Sequence, residues 1–202
     1  MVPIQYILQA CDFDASLLSG CRWFQLSNAS ELDESELASF LARCHSAGAY
    51  LVLTDDVEHC HSIAADGVLL SVEGIAAVAA RVPQPTGIVL QRPRPITLAI
   101  GEARRTLGQE SPQFVGVVAE TAEDAVAAAK AGADFIQVPI DICTTLLHAV
   151  RERSFTTPVV ALGAAEESQI PALLDADING FAVSFEEIHP LMLPLLLNAD
   201  EA

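Results

Sequence analysis

Carboxylate side chains that follow apolar runs are the first candidates for chemistry in this chain of 202 residues. Asp55 and Asp56 come directly after the run at residues 50–54, and Glu73 and Glu120 follow two later runs. Carboxylates in this position can hold a hard divalent cation such as Mg²⁺. They also cap helices, and Asp56 is placed to cap a helix at residues 57–64. We predict a metal role for Asp55, and helix capping is the alternative.

The turn after the seventh apolar run is a second candidate site. Gly163 and Ala164 form this turn, and Val183 and Ser184 end the eighth run. In parallel barrels, these two strand ends commonly bind phosphate through backbone N–H groups, without a cationic side chain. The alternative is that Gly163 only forms a tight turn and Ser184 only caps the last helix.

The sequence His59-Cys60-His61 has the composition of a metal cluster but not its geometry. On the predicted helix, residues two positions apart point roughly 200° apart. We therefore interpret these side chains as surface or packing residues.

Eight short apolar runs alternate with Ala-rich helical patterns. The predicted strands are residues 6–11, 23–27, 50–54, 67–71, 114–119, 135–138, 159–162 and 180–184, and the predicted helices include residues 34–46, 121–131, 142–153 and 166–175. Continuous apolar runs are typical of strands buried on both faces of a parallel sheet. The pattern predicts a single (β/α)₈ barrel of the TIM type in the α/β class. A doubly wound open sheet is the alternative, and the lack of a Gly-rich dinucleotide motif disfavours it.

Two connections depart from this pattern. The link at residues 12–22 is too short for a full helix, so we predict a shortened first crossover. After the fourth strand, roughly residues 75–101 form an insertion with a helix, an apolar extended segment at residues 88–90, and Arg92 and Arg94. Such an insertion is either a functional excursion at the barrel rim or an element for packing or dimerisation. We treat residues 1–202 as one barrel domain.

The composition excludes several classes of partner. The chain has 27 acidic and 10 basic side chains, a formal net charge of −17, and Lys130 is its one lysine. Nucleic acids and anionic membranes select for clustered Lys and Arg, so we expect neither as a partner. The 5 cysteines form no C-x-x-C pair, and the N-terminus has no signal-peptide pattern. These features predict a cytoplasmic protein with reduced thiols.

Several stretches, in order and at similar spacing, resemble the thiamine phosphate synthases and their thiazole tautomerase relatives. Residues 50–59 with 65–70 look like the family's "LLINDxVxxA…GADGVHLG", residues 103–108 with 115–117 like "ARxLLG…IGVS", residues 121–136 like "TxEEAxxAxxxGADYIG", and residues 158–163 and 180–184 like "PVVAIGGI" and "GVAVVS". The similarity covers most of the chain apart from the insertion and the shortened start. It implies the TIM barrel fold.

The resemblance also implies a reaction. Members of the family join an aminopyrimidine pyrophosphate to a thiazole phosphate in thiamine biosynthesis, and Mg²⁺ assists the departure of pyrophosphate. Asp55 matches a metal-binding Asp of the family, and Glu73 is the one carboxylate near the position of its second metal ligand. Gln25 matches the first letter of the family's "QLRxK" motif, and Glu120 stands where the tautomerases carry their base. Gln25 and Glu120 are therefore the candidate catalytic residues.

The cations of the family's motifs are missing from this sequence. The Arg and Lys of "QLRxK" are Ser27 and Ala29, and the phosphate loop "TxTK" is replaced by Pro139-Ile140-Asp141. The candidate phosphate ligands that remain are Gly163, Ala164, Val183 and Ser184, with Arg92 and Arg94 reaching in from the insertion.

Two functions follow from these observations. The first is a thiamine-phosphate-synthase-like transferase that binds a small phosphorylated heterocycle, with Mg²⁺ at Asp55 and Glu73. The second is a catalytically degenerate barrel that serves as a phosphate-ligand-binding or partner-binding protein. For the second function we expect a homo-oligomer or a complex, formed through the insertion and the apolar residues 191–197.

Overall fold

A computed structural model describes residues 4–8, 23–83, 94–108, 110–163 and 169–184. Eight parallel strands form a closed barrel, in which each strand pairs with the next along the chain and the eighth pairs with the first. The predicted (β/α)₈ architecture is therefore confirmed. The predicted short crossover and the extended segment of the insertion fall on residues 9–22 and 84–93, which lie outside the described residues.

The elements agree closely with the pattern of apolar runs. The strands are β1 (Ile4–Leu8), β2 (Trp23–Leu26), β3 (Tyr50–Thr54), β4 (Gly67–Leu70), β5 (Phe114–Val118), β6 (Phe135–Pro139), β7 (Val159–Leu162) and β8 (Gly180–Ser184). The helices are α1 (Glu34–Ser46), α2 (Val57–Ser62), α3 (Val72–Arg81), α4 (Pro95–Leu107), α5 (Ala122–Ala131), α6 (Cys143–Glu152) and α7 (Ile170–Asp175). β1 begins earlier than the predicted strand, and residues 9–11 of that strand lie outside the described residues. α4 covers a stretch that we did not predict to be helical.

Local capping explains why several helices begin and end where they do. The Asp33 side chain accepts hydrogen bonds from the backbone of Ser35 and Glu36, and Glu36 bonds back to the Asp33 backbone, which forms a capping box for α1. α5 begins after Thr121, whose hydroxyl accepts from the Asp124 N–H, and ends at Gly132 in a left-handed conformation. α4 begins with Pro95, a residue whose missing N–H costs nothing at that position.

Aromatic side chains fill the barrel at the N-terminal ends of its strands. The ring centroid of Trp23 lies 5.2 Å from that of Tyr50 and 5.0 Å from that of Phe114. Phe135 lies directly over Gly116, where the ring leaves only 2.1 Å to a Cβ built on that glycine. Gly116 is therefore the residue that makes room for Phe135. A mostly apolar cavity of about 400 Å³ opens beside these rings, at the barrel end opposite to the candidate site.

Asp134 stabilises the start of two neighbouring strands. Its Oδ2 accepts a 2.6 Å hydrogen bond from the Val115 N–H at the start of β5. Arg104 of α4 forms an ion pair with the same carboxylate and also donates to the Gln113 carbonyl. One side chain before β6 thus connects β5 with the helix that precedes it.

The same arrangement recurs twice more around the barrel. Asp66, before β4, accepts from the Leu51 N–H at 2.8 Å, and its Oδ2 lies 2.9 Å from His45 Nε2. Asn179, before β8, accepts from the Val159 N–H at 2.9 Å and from Arg151 at 3.1 Å. Side chains that fix the strand starts in this way suit the N-terminal end of a barrel, which serves stability rather than chemistry.

None of the helices among the described residues is both long enough and apolar enough to cross a membrane.

Replacing Asp134 by Ala tests this arrangement. We expect Asp134→Ala to lower the free energy of unfolding by about 1–3 kcal/mol, because it removes a charge-assisted bond and leaves a strand N–H without its acceptor and Arg104 without its carboxylate. Asp175→Ala, at an exposed position in α7, is the matched control and should change it by less than about 0.5 kcal/mol. Urea titration measures both values. Equal effects of the two substitutions would contradict the role given to Asp134.

Candidate functional site

The C-terminal ends of the strands form one rim, which we define among the described residues as 27–28, 54–56, 71–73, 118–121, 139–142, 163 and 183–184. Chemistry in barrels of this type gathers at this end. Asp55, Asp56, Glu73, Glu120 and Asp141 lie on the rim, and none of its residues is Lys or Arg. The negative charge of the composition is therefore present at the end of the barrel where a ligand would bind.

Asp55 is held by hydrogen bonds to the next strand and the helix after it. Its N–H donates to the Leu69 carbonyl at 2.9 Å, and its φ of 58° is in the left-handed region. Asp55 Oδ1 accepts from the Ser71 N–H at 2.7 Å, and Oδ2 accepts from the Ser71 hydroxyl at 2.5 Å. Both carboxylate oxygens thus accept from a single residue of the same chain.

Ser71 connects this carboxylate to α3. Its hydroxyl oxygen accepts from the Gly74 N–H at 3.0 Å, which makes Ser71 the N-cap of that helix. The same oxygen lies 3.2 Å from Glu73 Oε2. Because a hydroxyl carries one proton, it donates to one carboxylate at a time, and the shorter contact is with Asp55. Asp55 and Glu73, the two predicted metal ligands, therefore both lie against Ser71.

The donor set at this position does not fit Mg²⁺. Mg²⁺ requires near-octahedral oxygen ligation, whereas each Asp55 oxygen already accepts one hydrogen bond from Ser71 and has only its remaining lone pair to offer. Among the described residues, no group of three or more His, Cys, Asp or Glu side chains is arranged to hold a metal ion. The metal role of Asp55 and Glu73 stays a prediction from the sequence, and the geometry supplies no further ligand for it.

A chain of buried amides crosses the barrel just below the rim. Gln137 on β6 donates to Gln25 Oε1 at 2.8 Å, and Gln25 Nε2 donates to the Thr54 hydroxyl at 3.0 Å. Gln25 is 4% exposed and Gln137 is fully buried. The predicted catalytic residue Gln25 is therefore fixed in place by β6 and β3. The sequence analysis did not predict Gln137 as a site residue. The feature that could have identified it is a single polar residue within the otherwise apolar strand β6.

The candidate phosphate ligands are only partly described. Gly163, with a φ of 114°, donates its N–H to the Ala182 carbonyl at 2.9 Å and so extends the pairing of β7 with β8. Val183 is buried in the apolar layer between the strands and the helices, whereas Ser184 is half-buried at the end of β8. Ala164 and Arg92 lie outside the described residues.

Arg94 is placed at the N-cap of α4 and pairs with Asp124 of α5. The distance from Arg94 Nη1 to Asp124 Oδ1 is 2.9 Å. Thr121 donates to the other oxygen of Asp124, so this carboxylate is shared between the cap of α5 and Arg94. A phosphate would have to compete with Asp124 for this guanidinium. Glu120, the other catalytic candidate, is exposed at the end of β5.

Two of the sequence interpretations near the rim are confirmed. Asp56 caps α2 by accepting from the His59 N–H at 3.0 Å, and its Oδ2 lies 2.7 Å from His59 Nδ1. Cys60 points into the core, as expected for a packing residue. The hydrogen bond that the His59 ring donates to Asp56 raises the pKa of His59, against the smaller opposite effect of burial.

Buried thiols offer no nucleophile in the described residues. Burial raises the pKa of Cys60 to about 12 and that of Cys143 to about 11. Because the thiolate is the reactive form, both side chains are packing residues.

An acidic groove of about 690 Å³ adjoins Asp55 on the outside of the barrel. Its lining includes Asp56, Glu58, Glu73 and Glu102, together with His59 and Arg81. Arg81 approaches Glu58 to 3.7 Å, so this cation is itself shared with a carboxylate. The groove has no surplus of positive charge with which to attract a pyrophosphate.

Comparison with known proteins agrees with the resemblance found in the sequence. No family model matches the chain. The thiamine-phosphate synthase of Bacteroides thetaiotaomicron is 28% identical over 210 residues, which cover 91% of this chain and 88% of the relative. That of Phocaeicola vulgatus is 27% identical, with the same coverage of 91% and 88%. The resemblance to thiamine phosphate synthases is therefore confirmed.

Solved structures support the fold. Thiamine phosphate pyrophosphorylase from Pyrococcus furiosus matches with a TM-score of 0.60 at 20% identity, covering 90% of this chain and 85% of that chain. A citrate synthase variant matches with the same TM-score of 0.60 at 12% identity, covering 98% and 94%. Since enzymes of different chemistry superpose equally well, this likeness shows the barrel fold alone.

The amide chain can be tested by a double-mutant cycle. We expect Gln137→Leu to lower the free energy of unfolding by about 1–3 kcal/mol, because it removes the donor to a buried carbonyl oxygen. In a Gln25→Leu background the same substitution should cost less, by about 0.5–1.5 kcal/mol, because the partner is already absent. Chemical denaturation of the four proteins gives the coupling. Fully additive effects would show that the two amides do not interact.

The Asp56–His59 pair predicts a pH-dependent contribution to stability. Because the pKa of His59 is raised on folding, its contribution is complete below the unfolded pKa and is lost as the pH rises through the folded pKa. Asp56→Asn retains a capping oxygen but removes the charge. The stability difference between wild type and this variant should be larger at about pH 5.5 than at about pH 9. Thermal melts across this range measure it, and a constant difference would refute the pairing.

Proposed function

We propose that this protein is a thiamine-phosphate-synthase-like barrel that binds a small phosphorylated heterocycle in the cytoplasm and does not carry out the coupling reaction. The similarity to thiamine-phosphate synthases over 91% of the chain supports the ligand class. The claim that coupling does not occur rests on one observation: polar side chains of the candidate site form hydrogen bonds or ion pairs with other residues of the chain. Asp55 is bound by Ser71, Gln25 by Gln137, and Arg94 by Asp124.

Electrostatics explains why coupling is not expected. Departure of pyrophosphate requires positive charge around the leaving group. The rim instead presents Asp55, Glu73 and Glu120, with no Lys or Arg among its described residues. Each close pair of like charges costs about 4 kcal/mol at 4 Å in a protein-like dielectric. Two or three such pairs exceed what a few hydrogen bonds return, so a pyrophosphate ester is disfavoured in the ground state and in the transition state.

A single phosphate brings less negative charge to the same rim than a pyrophosphate does. Ser184 ends β8 beside Gly163, at the pair of strand ends where barrels commonly hold phosphate through backbone N–H groups. This edge is on the far side of the barrel from Asp55 and Glu73, since β7 and β8 are separated from β3 and β4 by other strands. We therefore assign the phosphate end of the ligand to β7 and β8.

Turnover is tested with the purified protein, an aminopyrimidine pyrophosphate, thiazole phosphate and Mg²⁺. We expect no thiamine phosphate even at high protein concentration, because the leaving group is not neutralised. Chromatographic detection of thiamine phosphate measures this. Product formation that scales with protein concentration would overturn the claim that coupling is absent.

Ligand binding is tested separately by calorimetry with thiazole phosphate, inorganic phosphate and pyrophosphate. We expect thiazole phosphate to bind and pyrophosphate not to bind. Ser184→Ala should weaken the binding of thiazole phosphate about ten- to a hundredfold, because it removes the hydroxyl's hydrogen bond to a charged group and leaves only the backbone N–H groups. Thr156→Ala, which lies before β7 at the opposite end of the barrel, should leave the affinity unchanged. Absence of any heat with thiazole phosphate would refute the ligand assignment while leaving the turnover result intact.

A further inference from the structure

We infer that Asp55 joins the end of β3 to the start of α3 by accepting hydrogen bonds from Ser71, a joint that forms without a metal ion. We also infer that divalent cations do not bind there. The joint consists of Asp55, Ser71 and Gly74. The inference concerns the carboxylate that the resemblance assigns to a metal, and it does not depend on the ligand proposed above.

The first observation is steric. A Cβ built on Gly74 would lie 1.7 Å from Asp55 Oδ1 and 2.3 Å from its carboxyl carbon. The carboxylate therefore rests directly on the Cα of Gly74, in space that any other residue would fill. This is the region where the resemblance expects a second metal-binding Asp. A side chain there and the present position of Asp55 exclude each other.

The second observation is electrostatic. Asp55 Oδ1 accepts from the N–H of Ser71, the residue that caps α3, and α3 is 10 residues long. The N-terminus of a helix carries partial positive charge and stabilises an anion placed against it. The Ser71 hydroxyl adds a second bond of 2.5 Å, within the range of charge-assisted bonds. The chain itself thus supplies the positive potential that a metal ion would otherwise provide.

The third observation is the backbone of Asp55. Its φ of 58° is a conformation that L-residues other than Asn and Asp rarely adopt. This conformation turns the carboxylate back towards Ser71 and allows the Asp55 N–H to continue the pairing with Leu69. A metal that drew the carboxylate away from Ser71 would break the bonds that hold this conformation. The positive φ of Asp55 therefore depends on its hydrogen bonds to Ser71.

The steric part is tested by Gly74→Ala and a matched control. Gly74→Ala should lower the melting temperature by about 2–6 °C, because the new Cβ expels the carboxylate and breaks both of its bonds to Ser71. Gly101→Ala in α4, where a Cβ meets nothing within 4 Å, should leave it equal or slightly higher. Gly74→Ala with the stability of Gly101→Ala would overturn the inference.

An Asp55→Gly background shows whether the cost comes from the joint. Glycine tolerates the positive φ and has no carboxylate to expel. In this background Gly74→Ala should no longer lower the melting temperature. If Gly74→Ala lowers the melting temperature as much in this background as in wild type, the new Cβ clashes with something other than Asp55, and the joint is refuted. Failure of Gly74→Ala alone to fold, while Gly101→Ala folds, supports the joint.

The metal part is tested on the unmodified protein. A bound cation raises the melting temperature in proportion to the logarithm of its concentration over Kd. We expect about 10 mM MgCl₂ to change the melting temperature no more than NaCl of equal ionic strength does. A rise specific to Mg²⁺ that disappears in Asp55→Gly would overturn the inference.

Discussion

At the strand ends of this closed barrel, the side chains of Asp55 and Gln25 bind partners from the chain itself. The carboxylate of Asp55 shows this most clearly, because Ser71 binds both of its oxygens and Gly74 leaves the space in which it lies. Two strands, a helix N-terminus and a left-handed residue are held together by this contact. The amides of Gln25 and Gln137 satisfy the same requirement inside the barrel.

This constraint has a consequence for function. Electrostatic catalysis relies on oriented groups that face the charge developing in the substrate. Here the two ends of the barrel use polar groups in a similar way. Asp134 and Asn179 join strand starts to helices, and Asp55 joins a strand end to a helix. This use of polar groups is the basis of the proposal that the protein does not catalyse the departure of pyrophosphate. The likeness to thiamine phosphate synthases is established for sequence and fold, and the proposal concerns the chemistry.

The sequence was sufficient for the fold and for local features. Hydrophobic periodicity and helix capping depend on neighbouring residues. The strands at residues 50–54 and 180–184 and the cap at Asp56 could therefore be predicted, and the alternation of strands and helices predicted the barrel. The site could not be predicted in the same way. Asp55 and Ser71 are 16 residues apart, and Gln25 and Gln137 are 112 apart, so their contacts depend on the closed barrel. From the sequence alone, the carboxylate of Asp55 predicts a metal site, because its contact with Ser71 is visible only in the structure.

The most direct test of this account is the NMR spectrum of the wild-type protein in the presence of Mn²⁺, a paramagnetic substitute for Mg²⁺. Bound Mn²⁺ broadens the signals of nuclei close to it. If Ser71 holds both oxygens of Asp55, the backbone amide signals of Ser71 and Gly74 should keep their line widths at millimolar Mn²⁺, relative to exposed carboxylate regions elsewhere. Selective broadening of these two signals at low Mn²⁺ concentration would show that Asp55 binds a metal and would contradict the account.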